Sequence, residues 1–283
     1  MRISMRSLWN LTCEVTWFMY DLVAVDLDGT LLNSEHQVSA KNKQAISDVI
    51  AAGKMFTVST GRPLQGVRFV IDMVDADMPF IIYNGAMVVT SRSNRVLHQS
   101  ALSGDLAAML VRFGQARDTT VFVYAGGMLH VAGINQMVKA YMSAVDISPI
   151  VVDDLAGLAE KGVTKVLWCD DADRIVALQD EVSPYVKGTL NFYTSRPMLL
   201  EFIDINTSKG AAMKKIGEFY GIPRSRMLAI GDSYNDVDML KFAAFGVAME
   251  NSPQEIKDLA DAVTLSNDED GVAETIYRYV LDG

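Results

Sequence analysis

The residues Leu22-Val-Ala-Val-Asp26 form a short, unbroken apolar run that stops on an acid. A strand that is apolar at every position has no face to give to water. It must be covered on both sides, as a central strand of a parallel sheet is covered by helices. The next segments follow the same logic. Ser39 is placed to cap a helix with Ala45, Ile46, Val49 and Ile50 on one face and Gly53 as its stop. Met55–Ser59 and residues 80–83 read as the next two strands. Strand, helix, strand, helix, strand predicts an α/β fold built on a parallel sheet.

The rhythm then changes. Residues 88–90 and 96–99 flank the polar turn Ser91-Arg-Ser-Asn94, and residues 121–125 and 128–131 flank Gly126-Gly127, so both pairs read as hairpins. Helical patterns over 136–145 and 171–182 and strand patterns over 164–168, 190–193 and 199–203 follow. Hairpins mixed with helices predict an α+β insert over residues 86–200. From Ser208 onward the α/β rhythm returns: a helix over 209–220, a strand over 227–230, a helix over 236–243, short elements over 245–249, 255–260 and 262–264, and a closing helix over 272–281. The expected organisation is one α/β domain, 20–85 and 201–283, interrupted by a second, with the cleft between them as the ligand site. Residues 1–19 read as an extension outside the fold. Asn10 and Glu14 interrupt their apolar run, no small-residue cleavage site follows, and Met19 is a candidate start.

Charge narrows the function classes. Twenty-five basic residues against thirty-five acidic ones leave a net charge of −10. Such a field has the wrong sign for a non-specific nucleic-acid or anionic-membrane binder, although a metal ion or a buried lysine can make a small anion welcome locally. No stretch reaches the roughly 18 apolar residues of a membrane span, which sets aside ion pumps and points to the cytoplasm. Cys13 and Cys169 make neither a disulfide framework nor a metal clip, and His36, His98 and His130 show no ligand spacing. A resident metal would therefore take carboxylates, which favours magnesium or another hard cation.

Parallel sheets bind ligands at the carboxyl ends of their strands. Those ends carry Asp26-Leu-Asp28-Gly-Thr30, Ser59-Thr60-Gly61-Arg62, Asn84-Gly85 and Gly231-Asp232-Ser-Tyr-Asn235-Asp236, and Lys209 opens the helix before the last of them. Any one could be a turn or a cap. Four carboxylates, a hydroxyl and a lysine converge on one sheet edge. Asp232 and Asp236 are four residues apart, so both can face one metal. Arg62 reads equally as a ligand of phosphate or substrate hydroxyl and as the partner of a surface carboxylate. Asn235 reads as a phosphate contact or a helix cap, Asn84 as a substrate contact or part of a hinge, and Arg196 as a substrate contact from the insert.

Together these motifs resemble the haloacid dehalogenase superfamily, and most closely its Cof-type sugar-phosphate phosphatases with a class IIB cap. The segment Ser266-Asn-Asp-Glu-Asp-Gly-Val272 resembles the same family, and only residues 1–19 fall outside the likeness. The resemblance implies a Rossmann-like core with an inserted α+β cap. It also implies Mg²⁺-dependent hydrolysis of a small phosphorylated metabolite, with sugar phosphates leading, through an aspartyl phosphate. Asp26 would be the nucleophile and Asp28 the acid and base. Thr60 and Lys209 would hold the phosphoryl group, with Gly61, Arg62, Asn84, Asn235 and Arg196 around the substrate. Asp26, the carbonyl of Asp28, Asp232 and Asp236 would surround the metal, with Asp236 also orienting Lys209. Two alternatives share the nucleophile: a phosphosugar mutase and a phospho-accepting signalling module. The latter fits poorly with Asp28 and with a large insert. The cap is expected to close over substrate about hinges near Gly85 and residues 205–208.

Overall fold

The computed structural model describes residues 20–74, 76–145 and 147–281. The expectations for residues 1–19, including Cys13 and the Met19 start, lie outside the described residues. Within them the chain forms strands β1 (Leu22–Asp26), β2 (Met55–Ser59), β3 (Pro79–Ile82), β4 (Met87–Thr90), β5 (Val96–Gln99), β6 (Thr120–Ala125), β7 (Met128–Val131), β8 (Ile150–Val151), β9 (Lys165–Cys169), β10 (Leu190–Arg196), β11 (Leu199–Asp204), β12 (Met227–Gly231), β13 (Phe245–Ala248) and β14 (Ala262–Val263). They make an eight-stranded sheet, ordered β14-β13-β12-β1-β2-β3-β4-β5, and a six-stranded sheet, ordered β10-β11-β9-β6-β7-β8.

In the larger sheet β1 lies between β12 and β2, parallel to both. The chain winds from β1 towards β3 on one side, and from β12 towards β14 on the other. This reversal leaves a crevice at the carboxyl ends of β1 and β12, where open α/β sheets bind ligands. Leu22, Val23, Ala24 and Val25 are all fully buried. Val23 and Val25 pack into the cluster holding Ala45, Ile46 and Ile276, while Leu22 and Ala24 pack into the one holding Met213, Ile216 and Met239. Helices Ala40–Ala51 and Gly271–Ile276 thus cover one face, and Lys209–Tyr220 and Val237–Phe242 the other. Burial of each such side chain is worth about 1.5–3 kcal/mol, so the position of Asp26 at the end of β1 is firmly set. Ser39 caps the first helix as expected, its hydroxyl accepting from the Asn42 N–H.

The hairpin over β4 and β5 corrects the expected boundary at residue 86. It lies on the edge of the larger sheet, with β4 antiparallel to β3 in the register Phe80↔Val89. The cause is the turn before it. Tyr83, Asn84 and Gly85 all have positive φ (53°, 54° and 100°), and this reverses the chain at once, so β4 folds back on β3. Val88 and Val89 are then buried against the sheet. The chain leaves the larger sheet only after β5, where Ser103 caps helix Gly104–Gln115 with its hydroxyl. This helix was missed, although Ala107, Leu110, Val111 and Gly114 form its buried face. At the other end β11 runs whole in the smaller sheet, so the return lies beyond Asp204 and not at residue 201. Gly85 is therefore no crossing point. It packs against the return instead, where a Cβ would stand 2.1 Å from the Ser208 carbonyl oxygen.

The smaller sheet carries its own core. Trp168, Phe202, Val123 and Val166 pack with helices Gly104–Gln115 and Ala172–Val186. The buried Cys169 is a free thiol. No helix among the described residues is long and apolar enough to cross a membrane.

Candidate active site

The loop after β1 is built to turn tightly beneath β12. The Leu31 and Leu32 N–H groups donate back to the Asp26 and Leu27 carbonyls, and Leu27 and Leu31 are fully buried anchors. Gly29 is in the left-handed region (φ +85°), and any Cβ there would meet Asp232 Oδ2 at 2.6 Å. Only glycine lets the loop approach that carboxylate. Thr30 closes the contact, its hydroxyl donating to Asp232 Oδ1 at 2.8 Å. From behind, Asn267 donates its side-chain amide to the Leu32 carbonyl, and the Ser34 hydroxyl donates to Asp268. The 266–272 segment is thus a brace for this loop.

Lys209 lies at the centre, fully buried. It opens helix Lys209–Tyr220, capped by the Ser208 hydroxyl. Its ammonium donates to Asp26 Oδ1 at 2.5 Å and to Asp236 Oδ1 at 2.6 Å. The other Asp236 oxygen accepts from the Asp232 and Ser233 N–H groups at 3.1 and 3.0 Å. Both its oxygens are therefore engaged, and Asp236 holds the lysine to the loop after β12. Asp26, Asp232 and Asp236 each place a carboxylate oxygen within 4.8 Å of the others.

Three carboxylates against one ammonium leave a negative excess. Burial pushes the Asp26 carboxyl well above the usual carboxylate range, and the charges of Asp236 and Asp232 push the same way, against Lys209. Burial also lifts Asp232, to about 6, in spite of the Thr30 hydrogen bond. Burial alone would discharge Lys209, but Asp236 and Asp26 hold it charged, above the ordinary lysine range. A compact, all-oxygen, over-negative donor set suits a hard divalent cation such as Mg²⁺. Asp26, Asp232 and Asp236 are the carboxylates that could hold such an ion.

The Asp28 carboxylate is elsewhere. It accepts a fork from Arg62, at 2.8 Å from Nε and 2.5 Å from Nη2. Its side chain is 48% exposed, so the two aspartates of this loop sit in opposite environments. The carboxylate that Arg62 pairs with is thus one of the site's own, and Arg62 itself lines the cavity. Thr60 is buried, with its hydroxyl accepting from the Arg62 N–H at 3.1 Å. Gly61 lies against the Asn84 amide, which a Cβ would meet at 3.0 Å. Asn235 is not the cap: Ser233 and Asp236 hold the cap positions there, and the Asn235 amide donates to Asn84 Oδ1 at 3.1 Å. Asn84 in turn donates to the Tyr193 hydroxyl on β10, bridging the two sheets from its left-handed turn.

Asp26, Asp28, Thr60, Arg62, Asn84 and Lys209 line one cavity of about 800 Å³ between the sheets, as do Gly61, Asp232 and Asn235. Arg196 lines it too, from the exposed end of β10. Sequence reasoning missed Tyr141, Lys165, Tyr193 and Glu201, which form its far wall. Lys165 opens β9 and Glu201 lies between apolar neighbours in β11, so neither stands at a strand's carboxyl end as Asp26 does.

A family model of haloacid dehalogenase-like hydrolases matches residues 23–276. The chain belongs to that family. Among relatives of this hydrolase, phosphatase YwpJ of Bacillus subtilis is 28% identical over 89% of this chain and 97% of its own. The 5-amino-6-(5-phospho-D-ribitylamino)uracil phosphatase YitU of the same organism is 27% identical over 91% and 97%. A solved haloacid dehalogenase-like hydrolase from Bacteroides thetaiotaomicron superposes with a TM-score of 0.83 at 28% identity, over 92% of this chain and 99% of that one.

Proposed function

We propose that this hydrolase is a Mg²⁺-dependent phosphatase of a small phosphorylated metabolite, with residues 104–204 as a cap over its cleft. The observation that carries the reading is the split between the two aspartates after β1. Asp26 is buried against Lys209, while Asp28 is held at the cavity by Arg62. One environment suits a nucleophile and the other an acid and base.

In the first step an Asp26 carboxylate oxygen attacks phosphorus. The ester P–O bond breaks, and the leaving alcohol takes a proton from Asp28. In the second, water gives a proton to Asp28 and attacks phosphorus, and the Asp26–phosphorus bond breaks to release inorganic phosphate. Splitting the reaction in two lowers a barrier that water alone meets slowly. Lys209 and the Thr60 hydroxyl hold the phosphoryl oxygens. Asp26, Asp232, Asp236 and the Asp28 carbonyl would hold the cation, which would supply positive charge where two anions must meet. The phosphatase names of the relatives support this reading, and the ribityl phosphate ester acted on by one of them supports a polyhydroxy leaving group such as a sugar.

The test is phosphate release from p-nitrophenyl phosphate and a panel of sugar phosphates, with and without EDTA, alongside Asp26→Asn. Acid quench and mass spectrometry should find phosphate on Asp26. Activity that survives EDTA or Asp26→Asn would overturn the reading, and conversion of a hexose 1-phosphate to its 6-phosphate without phosphate release would turn it to a mutase.

A further inference from the structure

The far wall of the cavity holds a second buried ion pair. Lys165 on β9 and Glu201 on β11 meet at 2.9 Å, with side chains 2% and 9% exposed. Desolvating two such charges costs several kcal/mol each, so a pair like this gives a fold little that an apolar pair would not. It does give the cavity a particular surface. The Lys165 ammonium stands 5.5 Å from the Tyr83 ring centre and 4.9 Å from that of Tyr124, over aromatic faces that attract a cation. With Glu201 against it as well, its positive charge is spent inside the wall. Burial would discharge Lys165, but Glu201 and Tyr141 outweigh this and keep it charged.

Glu201 is only half used. Its Oε2 accepts from Lys165 and, at 3.4 Å, from the Tyr193 hydroxyl. No hydrogen bond reaches its Oε1 among the described residues, and the side chain lines the cavity. The wall therefore offers a carboxylate oxygen to a hydrogen-bond donor, and the Lys165 charge beside it is already paired. It is also tied to the reacting end. The Tyr193 hydroxyl accepts from Asn84, whose Oδ1 accepts from Asn235, the neighbour of Asp236.

We propose that the Lys165–Glu201 pair determines specificity, with Glu201 accepting a hydrogen bond from a hydroxyl of the leaving group and thereby selecting esters of polyhydroxy alcohols over leaving groups without donors. The proposal rests on the phosphatase reading and deepens it. Glu201 binds the end of the substrate remote from phosphorus, so it acts on affinity and on placement of the ester. A site built to take a hydroxyl rejects analogues that lack one, because its buried acceptor is then left unpaired.

The experiment compares wild type, Glu201→Gln and the double variant Lys165→Met/Glu201→Leu on ribitol 5-phosphate and p-nitrophenyl phosphate, with melting curves for each. The double variant leaves no unpaired buried charge, so it keeps the test open if Glu201→Gln fails to fold. Expected is a loss of kcat/KM on ribitol 5-phosphate of about ten- to a hundredfold, carried mainly by KM. The loss on p-nitrophenyl phosphate should be several-fold smaller. Equal losses on the two esters, a loss carried by kcat alone, or a wild type that hydrolyses p-nitrophenyl phosphate but not ribitol 5-phosphate would each overturn the inference and leave the phosphatase reading standing. A wild type inert on both esters would overturn both.

Discussion

Two buried lysines face the same cavity from opposite sheets, and their surroundings differ in charge balance. Lys209 holds two carboxylates at 2.5 and 2.6 Å, with a third close by. Lys165 holds one carboxylate and is wrapped by tyrosine rings. In the first site burial lifts the pKa of Asp26 and Asp232, and the neighbouring carboxylates lift them further. The second is neutral as a pair. An imbalanced site has affinity left for a cation and, through it, for a phosphoryl group. A balanced one has only directional hydrogen bonds left to give. On the readings proposed above, the same pair of residue types would serve chemistry at one wall and recognition at the other.

The largest effects should come from the imbalanced wall. Asp26→Asn removes the attacking oxygen's charge and should lower phosphate release by at least about a thousandfold, read by steady-state kinetics. Lys209→Met leaves Asp26 and Asp236 buried without their cation. It should cost about 3–5 kcal/mol of stability in denaturant titration and roughly a hundredfold or more in kcat. A Lys209→Met protein as stable as wild type would show that the buried charges there are already relieved by other means, and the comparison would fail.

Much of this wall was legible in the sequence, and the opposite wall was not. The core site is assembled from strand ends, and strand ends are visible as an apolar run meeting a polar residue: Val25-Asp26, Val58-Ser59-Thr60, Ile230-Gly231-Asp232. Local chain geometry then brings them to one edge. Lys165 opens β9 and Glu201 sits within β11, and their meeting depends on β9 and β11 pairing antiparallel with Leu167 opposite Glu201. Nothing local encodes that pairing. The β4–β5 hairpin failed for a related reason. Its turn was readable, but its place depended on three consecutive left-handed residues, two of them Tyr83 and Asn84, which carry a penalty that only packing can offset. Arg62 was recognised as a site residue with its partner left open, because Asp28 lies 34 positions away.

A smaller effect separates charge imbalance from mere burial. Asp232 has a folded pKa raised to about 6, and Asp26 is raised as well. Protonated, these groups favour the fold. That contribution is complete below the unfolded carboxylate pKa of about 4 and is lost as pH rises through 6. A cation competes with those protons, so its stabilisation should grow over the same range. Melting curves with and without 5 mM Mg²⁺, an amount of order a hundredfold excess for a site of tens of micromolar affinity, should show little shift at pH 4.5 and several degrees at pH 7.5. Lys165→Met/Glu201→Leu should leave that pH dependence in place, since the balanced pair takes no part in it. An Mg²⁺ shift of equal size at both pH values would break the comparison.

The Arg62–Asp28 pair lies between the two walls and gives the finest test. Its side chains are 32% and 48% exposed, so water already solvates both charges and the pair should contribute only about 0–1 kcal/mol to stability. What Arg62 supplies is direction. A two-pronged guanidinium fixes the plane of the Asp28 carboxylate, and lysine, a point charge, does not. Arg62→Met and Arg62→Lys should both melt near wild type and should both lose about tenfold in kcat, because an acid turned away from the leaving oxygen is absent when the bond breaks. A wild-type rate in Arg62→Lys with a loss in Arg62→Met would make charge the operative property. The cleft would then be governed by electrostatic balance at all three pairs, and not by balance at the two walls with geometry between them.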